Sequence, residues 1–470
     1  MTQTERMSKL ELRASMSLAS IYGLRMLGMF LILPIFSIYG ETLPGGENHL
    51  LIGLALGAYG LTQAMFQLPF GMASDRYGRK RMIYIGLIVF AIGSFIAGFA
   101  DDLYTIILGR AIQGAGAVSA AVTALTADLT REEHRTKAMA IIGGTIGITF
   151  ALSLVLGPTL NRWIGVPGIF LMTGILAALA IFVVKFVVPD PKASHFHSDA
   201  EASTGRLKEV LRNAQLLRLN YGIFALHAAQ MAMFVVVPFA IKQSSGMSEN
   251  DHWQVYLPVM VASFAIMLPA IIYGEKQGKV KPVFVSAIAI MLGAQLLFAG
   301  TIQHFWGIVG SLTAYFVAFN LLEANLPSII SRVAPAAAKG TAIGVYNTAQ
   351  SLGIFIGGAA GGFLSHYYGF ASVFIFCGAL MALWLLLAIS MAPPPAIRNK
   401  MYRIGNMDPT QARELQAQLS TLQGVREVVV LPDEGVAILK VDMRQAWDEA
   451  GAHLLLKQDG KSAPVPFAAA

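Results

Sequence analysis

The chain has 470 residues, of which 55% are hydrophobic and 13% charged, with a formal net charge of +7. Soluble domains carry about 25% charged residues, so this composition excludes an ordinary soluble domain and points to a polytopic membrane protein whose excess of base reflects topology, not nucleic-acid binding. The single cysteine, Cys377, excludes an internal disulfide and a cysteine-cluster metal site.

A membrane-spanning helix needs about 20 mostly apolar residues. Twelve such runs follow one another at 16–40, 50–72, 82–100, 103–128, 137–160, 168–188, 219–242, 253–274, 282–301, 304–331, 341–365 and 370–392. Residues 1–188 then make a first six-helix unit, 189–218 a polar connector, 219–392 a second six-helix unit and 393–470 a linker and tail. Met1–Ser15 is charged and the first apolar run lacks a small-residue cleavage site, so no cleavable signal peptide is expected. The loops after runs two, four, eight and ten hold Arg76, Arg79, Lys80, Arg81, Arg131, Arg135, Lys137, Lys276, Lys279, Lys281, Arg332 and Lys339, whereas the opposite loops hold little base beyond Arg162 and Lys242. Short loops rich in Lys and Arg stay cytoplasmic, which puts both termini in the cytoplasm. In the connector, Leu207, Val210, Leu211 and Leu216 have the spacing of an amphipathic helix lying on the membrane surface.

The loop after the second run reads Gly71-Met72-Ala73-Ser74-Asp75-Arg76-Tyr77-Gly78-Arg79-Lys80-Arg81. It resembles motif A of the major facilitator superfamily, G-x-x-x-D-R-x-G-R-[KR]-[KR], at every specified position. A topogenic basic loop would explain the Arg and Lys residues but not Asp75, Gly71 or Gly78. The resemblance implies an all-α fold of two six-helix bundles with a substrate path between them. It also implies a gate in which Asp75 faces the N-terminus of the eleventh helix near Gly340-Thr341, where the helix dipole favours negative charge, while Arg79 bridges to Asp128. Gly274–Lys281 occupies the matching place in the second half, but in degenerate form.

An ionisable side chain inside a span is costly and by default functional. Arg25 and Arg110 are such residues. Arg110 lies in Leu108-Gly109-Arg110-Ala111-Ile112-Gln113-Gly114, which resembles the R-x-x-x-G element, motif B, that the family associates with proton coupling, and Gln113 shares its helix face. The first half has no carboxylate well inside a span. The second half offers Glu323 and His227, and a carboxylate that is dry in one state and wet in another can load and release a proton. Glu323 is the first choice of carrier, and a plain interhelical hydrogen bond is the alternative for both residues. Gln63, Gln67, Gln230, Asn320, Tyr346, Asn347 and Gln350 line the expected path, with Phe and Met as an adaptable apolar wall. The antiporter motif C, G-x-x-x-G-P-x-x-G-G, survives only as Gly157-Pro158: Ser153 replaces the leading Gly, and Asn161-Arg162 stand where the glycine pair belongs.

After Pro393-Pro394-Pro395 the chain turns polar. Met401–Ile404 reads as a strand, and Asp408 caps a helix with Pro409 at its first position and Ala412, Leu415, Leu419 and Leu422 on one face. Gly424 stops that helix. Val425–Leu431 and Val436–Val441 flank a Pro-Asp-Glu-Gly turn, a second helix starts near Arg444, and a fourth strand is expected near Val465–Phe467. This β-α-β-β-α order resembles a small α+β ferredoxin-like domain. Heavy-metal-associated domains of that shape carry Cys-x-x-Cys before the first helix, but Gly405-Asn406-Met407-Asp408-Pro409 has no cysteine, so no metal and no cofactor are expected. A cytoplasmic partner or ligand of the tail, or an inert appendage, stays open.

The whole layout, with the stretch Leu24-Arg25-Met26-Leu27-Gly28-Met29-Phe30, resembles the YajR-type group of proton-driven major facilitator transporters. That implies a multi-pass protein of the bacterial inner (plasma) membrane that moves a small molecule, with protons, by alternating access. Three functions fit: a proton-coupled exporter of small amphipathic compounds, a proton symporter or facilitator for a polar nutrient, and a sensor whose tail reads a transporter-like body. Sparse carboxylates along the path favour the exporter, and the absence of a nucleophile–base arrangement argues against an enzyme.

Overall fold

A computed structural model describes residues 7–190, 204–335, 338–394, 397–404, 407–432, 435–442 and 446–457. The first expected span is broken. Helix α1 (Lys9–Phe30) starts seven residues before the expected 16, set by a capping box between Ser8 and Glu11; a turn over 31–35 separates it from α2 (Phe36–Glu41). Pro34 lies in that turn, and proline both lacks a donor and disfavours helix in the residue before it. Next come α3 (His49–Tyr77) and α4 (Arg79–Gly98), joined through Gly78 alone, at φ 100°. Only glycine adopts that conformation without strain. The fourth span is also interrupted, as α5 (Leu103–Ala115) and α6 (Ser119–Leu129), at Gly116, whose ψ of 54° leaves the helix and whose missing Cβ makes room for the Gly86 carbonyl.

Spans five and six are two helices within α7 (Glu132–Phe186), joined through Gly165, where φ is 67° and the helical backbone is lost. Helix α8 (Thr204–Arg212) does not merely lie on a membrane surface: Val210 is fully buried in the main core, while Leu211 stays exposed. Leu216 belongs to the following element, α9 (Ala214–Ser245), which is enclosed on nearly all sides. Helices α10 (Trp253–Lys276), α11 (Val280–Thr301), α12 (Phe305–Val333), α13 (Lys339–Tyr368) and α14 (Phe370–Ile389) complete the bundle. Among the described residues nine helical segments are long and apolar enough to cross a membrane, one of them holding both spans of α7.

Apolar side chains such as Ile88, Phe182, Ile375 and Leu386 face outward, and the buried polar residues lie inside. With lipid outside there is little hydrophobic drive between helices, so close packing of small residues holds them together. Helix α13 supplies two such faces. Gly353, Gly357 and Gly361 abut α9 at Phe224, Ala228 and Ala232, while Gly358 and Gly362 meet Gly53, Gly57 and His49 of α3. Each of these approaches brings backbone against backbone, and a Cβ would separate the helices.

The tail is α+β. Strands β1 (Ile397–Arg403), β2 (Val425–Leu431) and β3 (Val436–Asp442) form an antiparallel sheet in the order β1-β3-β2, the order of a split β-α-β unit. Between β1 and β2 lies α15 (Pro409–Ser420), capped by Asp408, whose carboxylate is held below its usual range by the N–H groups of Gln411 and Thr410. Ala412, Leu415 and Leu419 pack on Val428, Val430, Leu439 and Tyr402, and Gly424 has φ 83°. The second helix, α16 (Glu449–Lys457), begins later than expected from Arg444, and the expected fourth strand lies outside the described residues. Lys440 Nζ, buried on β3, donates to the Ala334 carbonyl (2.6 Å) just past α12, so the tail docks on the bundle at the α12–α13 loop.

Candidate functional site

Motif A lies at the end of the bundle that also carries the start of α1 and the tail. Gly71 lets α3 approach α6, where its Cβ would sit 3.2 Å from Ala120 Cβ. Arg79 is buried between two carboxylates: at the start of α4 it pairs across Gly78 with Asp75 near the end of α3, and its Nε lies 3.3 Å from Asp128 Oδ2. Its Nη1 also donates to Ser74 Oγ (3.1 Å). Asp128 ends α6, where the helix dipole disfavours an anion, and the guanidinium offsets that. Arg76 stays exposed over Tyr77. Asp75 opens onto a narrow cleft shared with Gln67, Asn347, Gly340 and Gly344, which includes the first turns of α13.

A contact the sequence reading missed reinforces this end. Glu11 Oε1 accepts from Arg131 Nε (2.9 Å) and Oε2 from Arg131 Nη2 (3.0 Å), a bidentate pair, and Oε2 also accepts from Ser8 N (2.7 Å). Burial alone would raise the Glu11 carboxyl, but these donors outweigh it and hold it at about 2. The Ser8-x-x-Glu11 capping box was the available signal; its partner, 120 residues on, left none.

The second cluster lies inside the first half. Arg25 and Arg110 are both buried, and their guanidinium carbons stand 5.5 and 5.0 Å from the centroid of one ring, Tyr59. Arg110 Nη1 donates to Gln113 Oε1 (2.9 Å), and Gln113 Nε2 donates to Ser94 Oγ (2.7 Å). Arg25 Nη1 donates to Ser119 Oγ (2.6 Å). Gln63 is buried a turn beyond Tyr59, and Gln67 a further turn on.

The third cluster lies inside the second half. His227 Nδ1 is 3.2 Å from the Ile223 carbonyl and its Nε2 is 2.7 Å from Gln350 Nε2. A carbonyl needs a donor, so Nδ1 carries a hydrogen toward Ile223, and in the neutral ring Nε2 is then the acceptor that the Gln350 amide faces. The Glu323 side chain is part-exposed, but its Oε2 is itself enclosed, 3.8 Å from His227 Nε2, without a hydrogen-bond donor among the described residues. The buried hydroxyls of Tyr315 and Tyr346 likewise lack partners there, Asn320 donates to Ser263 Oγ (2.9 Å), and Gln230 is buried on α9. Gly60, beside Tyr59, abuts Ser351, beside Gln350, so the two interior clusters sit at the same depth on either side of the α3–α13 seam.

At the opposite end the two halves are tied together. Ser37 Oγ donates to the Phe234 carbonyl (2.8 Å), Asn161 Nδ2 to Asn250 Oδ1 (2.8 Å) and Arg162 Nη2 to Asp251 Oδ1 (2.6 Å). Asn161 and Arg162 are the residues that replace the motif C glycine pair. Gly157, next to Pro158, packs against the Leu31 carbonyl of the broken first span. Motif A pairing therefore coexists with a tied opposite end. Among the described residues no cluster of His, Cys, Asp and Glu could hold a metal ion.

A family model described as Major Facilitator Superfamily matches residues 18–358. The chain is 43% identical over 435 residues to the inner membrane transport protein YajR of Escherichia coli (strain K12), covering 92% of this chain and 95% of that one. It is 25% identical over 387 residues to multidrug resistance protein 2 of Bacillus subtilis (strain 168), covering 76% and 90%. Among solved structures, a bacterial homolog to the human lysosomal transporter Spinster superposes with a TM-score of 0.64 at 13% identity, over 81% of this chain and 97% of that one, a likeness of fold alone.

Proposed function

The chain belongs to the Major Facilitator Superfamily, and from that membership we propose that this multi-pass membrane transporter is a proton-coupled exporter of small amphipathic compounds, with both termini in the cytoplasm. The observation that carries the proposal is the pairing of Glu323 with His227: an enclosed carboxylate oxygen 3.8 Å from an imidazole nitrogen that accepts from Gln350. A proton arriving at Glu323 Oε2 neutralises the carboxylate and gives it a hydrogen to turn toward His227 Nε2, where it competes with Gln350. Loading thus changes both the charge and the hydrogen bonding of α9, α12 and α13 together, which is what a coupled conformational step requires.

In this account residues 1–188 and 219–392 rock as two bundles about the interior clusters, linked by 189–218. Arg79, Asp75 and Asp128 latch the cytoplasmic end, and Ser37, Asn161 and Arg162 tie the other. Export is supported by the likeness to multidrug resistance protein 2 and by the scarcity of carboxylates along the path. The test is a screen of cationic, neutral and anionic amphiphiles in proteoliposomes, reading proton movement as each compound is added. An outward-directed substrate flux driven by an inward proton gradient is expected; uptake with protons instead would make the protein a symporter.

A further inference from the structure

Arg25 is one of the least exposed side chains of the bundle, and among the described residues only Nη1 of its three guanidinium nitrogens has a partner; Nε and Nη2 are buried without one there. Those two N–H groups lie on the same side of the guanidinium and form its side-on fork, the edge that takes both oxygens of a carboxylate, sulfonate or phosphate. Arg110 shares the Tyr59 ring with Arg25 and uses its own Nε and Nη2 on the Ala55 and Leu56 carbonyls at 3.3 and 3.5 Å, long bonds that neutralise no charge.

Neither arginine has an acidic side chain within ion-pair distance among the described residues, and the first six spans contain no Asp or Glu away from their ends. Two neighbouring buried cations with no counter-charge are expensive. An anion from outside the chain would supply the missing charge.

Five residues on from Arg25 along α1, an aromatic series leads toward the second half. Phe30 on α1 packs on Phe150 (5.0 Å between centroids), Phe150 on Phe319 (5.7 Å), and Phe319 on His227 (5.9 Å). We propose that Arg25, backed by Arg110 across Tyr59, binds the oxyanion head group of an amphipathic organic anion whose apolar body lies along Phe30, Phe150 and Phe319. The assignment deepens the transporter proposal by naming its substrate class and rests on that proposal only for the claim that the anion is moved.

Titration calorimetry on the full chain in maltoside micelles tests it with three probes of one shape: 1-naphthoate, 1-naphthylmethanol and 1-naphthylmethylammonium. Naphthoate should bind saturably and at least tenfold more tightly than the other two, and Arg25→Gln should weaken it at least tenfold. Arg25→Lys, which keeps the charge and loses the fork, should fall between them and serves if Arg25→Gln does not fold. Equal or tighter binding of the ammonium probe, absence of naphthoate binding, or unchanged naphthoate binding in Arg25→Gln or Arg25→Lys overturns the assignment. Sodium chloride and sodium phosphate form a separate arm; saturable binding of either with no preference for naphthoate makes a free inorganic anion the occupant and overturns the organic head group. Counterflow in proteoliposomes separates the two claims: charge-selective binding without naphthoate counterflow removes transport and keeps the anion site, whereas counterflow of the ammonium probe alone does the reverse.

Discussion

Gly53→Ala should open the end of the bundle opposite the tail. A Cβ at Gly53 meets the Gly358 carbonyl oxygen and comes within 3.0 Å of the Gly358 carbonyl carbon and Gly362 Cα. These are backbone atoms that no rotamer change can move, so α3 and α13 must separate. Overpacking of this kind costs about 1–3 kcal/mol. Alanine also favours the helix itself by about 0.5–1 kcal/mol, but α3 is helical whether the seam is closed or open, so that gain cancels. The net penalty falls on the closed seam alone and moves the equilibrium roughly 5- to 150-fold toward separation, at about 1.4 kcal/mol per tenfold. The assay is maleimide labelling of Ser37→Cys, whose native hydroxyl is buried and bonded across the two halves. Gly143→Ala is the control, because a Cβ there meets nothing within 4 Å. Faster labelling in Gly53→Ala and an unchanged rate in the control are expected; equal rates in parent and Gly53→Ala, both folded, would refute the steric argument.

At the motif A end, Asp128→Asn should destabilise more than Asp75→Asn. The Asp128 side chain is fully enclosed beside a buried cation, where breaking a pair costs about 3–5 kcal/mol, while Asp75 is part-exposed and worth about 1 kcal/mol or less; thermal melts of the two variants in micelles check the order. Asp75→Asn should also impair transport and raise cysteine accessibility at the tail end, and unchanged flux and labelling would reduce the loop to a topology signal. Glu11 has a folded carboxyl at about 2, below its ordinary 4.5, so its contribution is fully present above pH 4.5 and fades as pH falls toward 2. Glu11→Gln should therefore melt lower than wild type by an amount that is constant from pH 5 to 8, equivalent to about 1–2 kcal/mol after allowance for the part-exposed Arg131; a gap that widens on acidification contradicts the sign. Residues 397–470 alone should melt cooperatively with a mixed α/β circular dichroism spectrum and bind neither copper nor zinc at low micromolar concentration.

Hydropathy made twelve runs legible because each span is apolar whether it faces lipid or, like α9, is packed inside the bundle. It could not show where a run breaks: Pro34, Gly116 and Gly165 interrupt helices through local backbone geometry that a window average smooths over. A window average gives the α13 glycines no special weight, and their value as two contact faces exists only once α3 and α9 lie against them. In the tail the cap at Asp408 and the β2–β3 turn were readable because their partners are a few residues away. For the interior, sequence singled out Arg25, Arg110, His227 and Glu323 by their cost in hydrocarbon. That Arg25 and Arg110 share Tyr59, and that His227 stands between Gln350 and Glu323, depends on helix rotation and is visible only in three dimensions. Asn161 and Arg162 read as the loss of a motif, whereas the fold uses them to reach Asn250 and Asp251.

The most direct test of proton coupling compares two transport modes of Glu323→Gln in proteoliposomes. Glutamine keeps nearly the same shape and can hydrogen-bond, but it cannot titrate. Net flux driven by a proton gradient should disappear, while exchange of substrate at equal concentrations, which needs no net proton movement, should survive. Arg110→Ala should lose both modes, because it removes a buried cation on which Gln113 and Tyr59 depend. Full pH-driven flux in Glu323→Gln would contradict the account and move the carrier to another group, with His227 first in line.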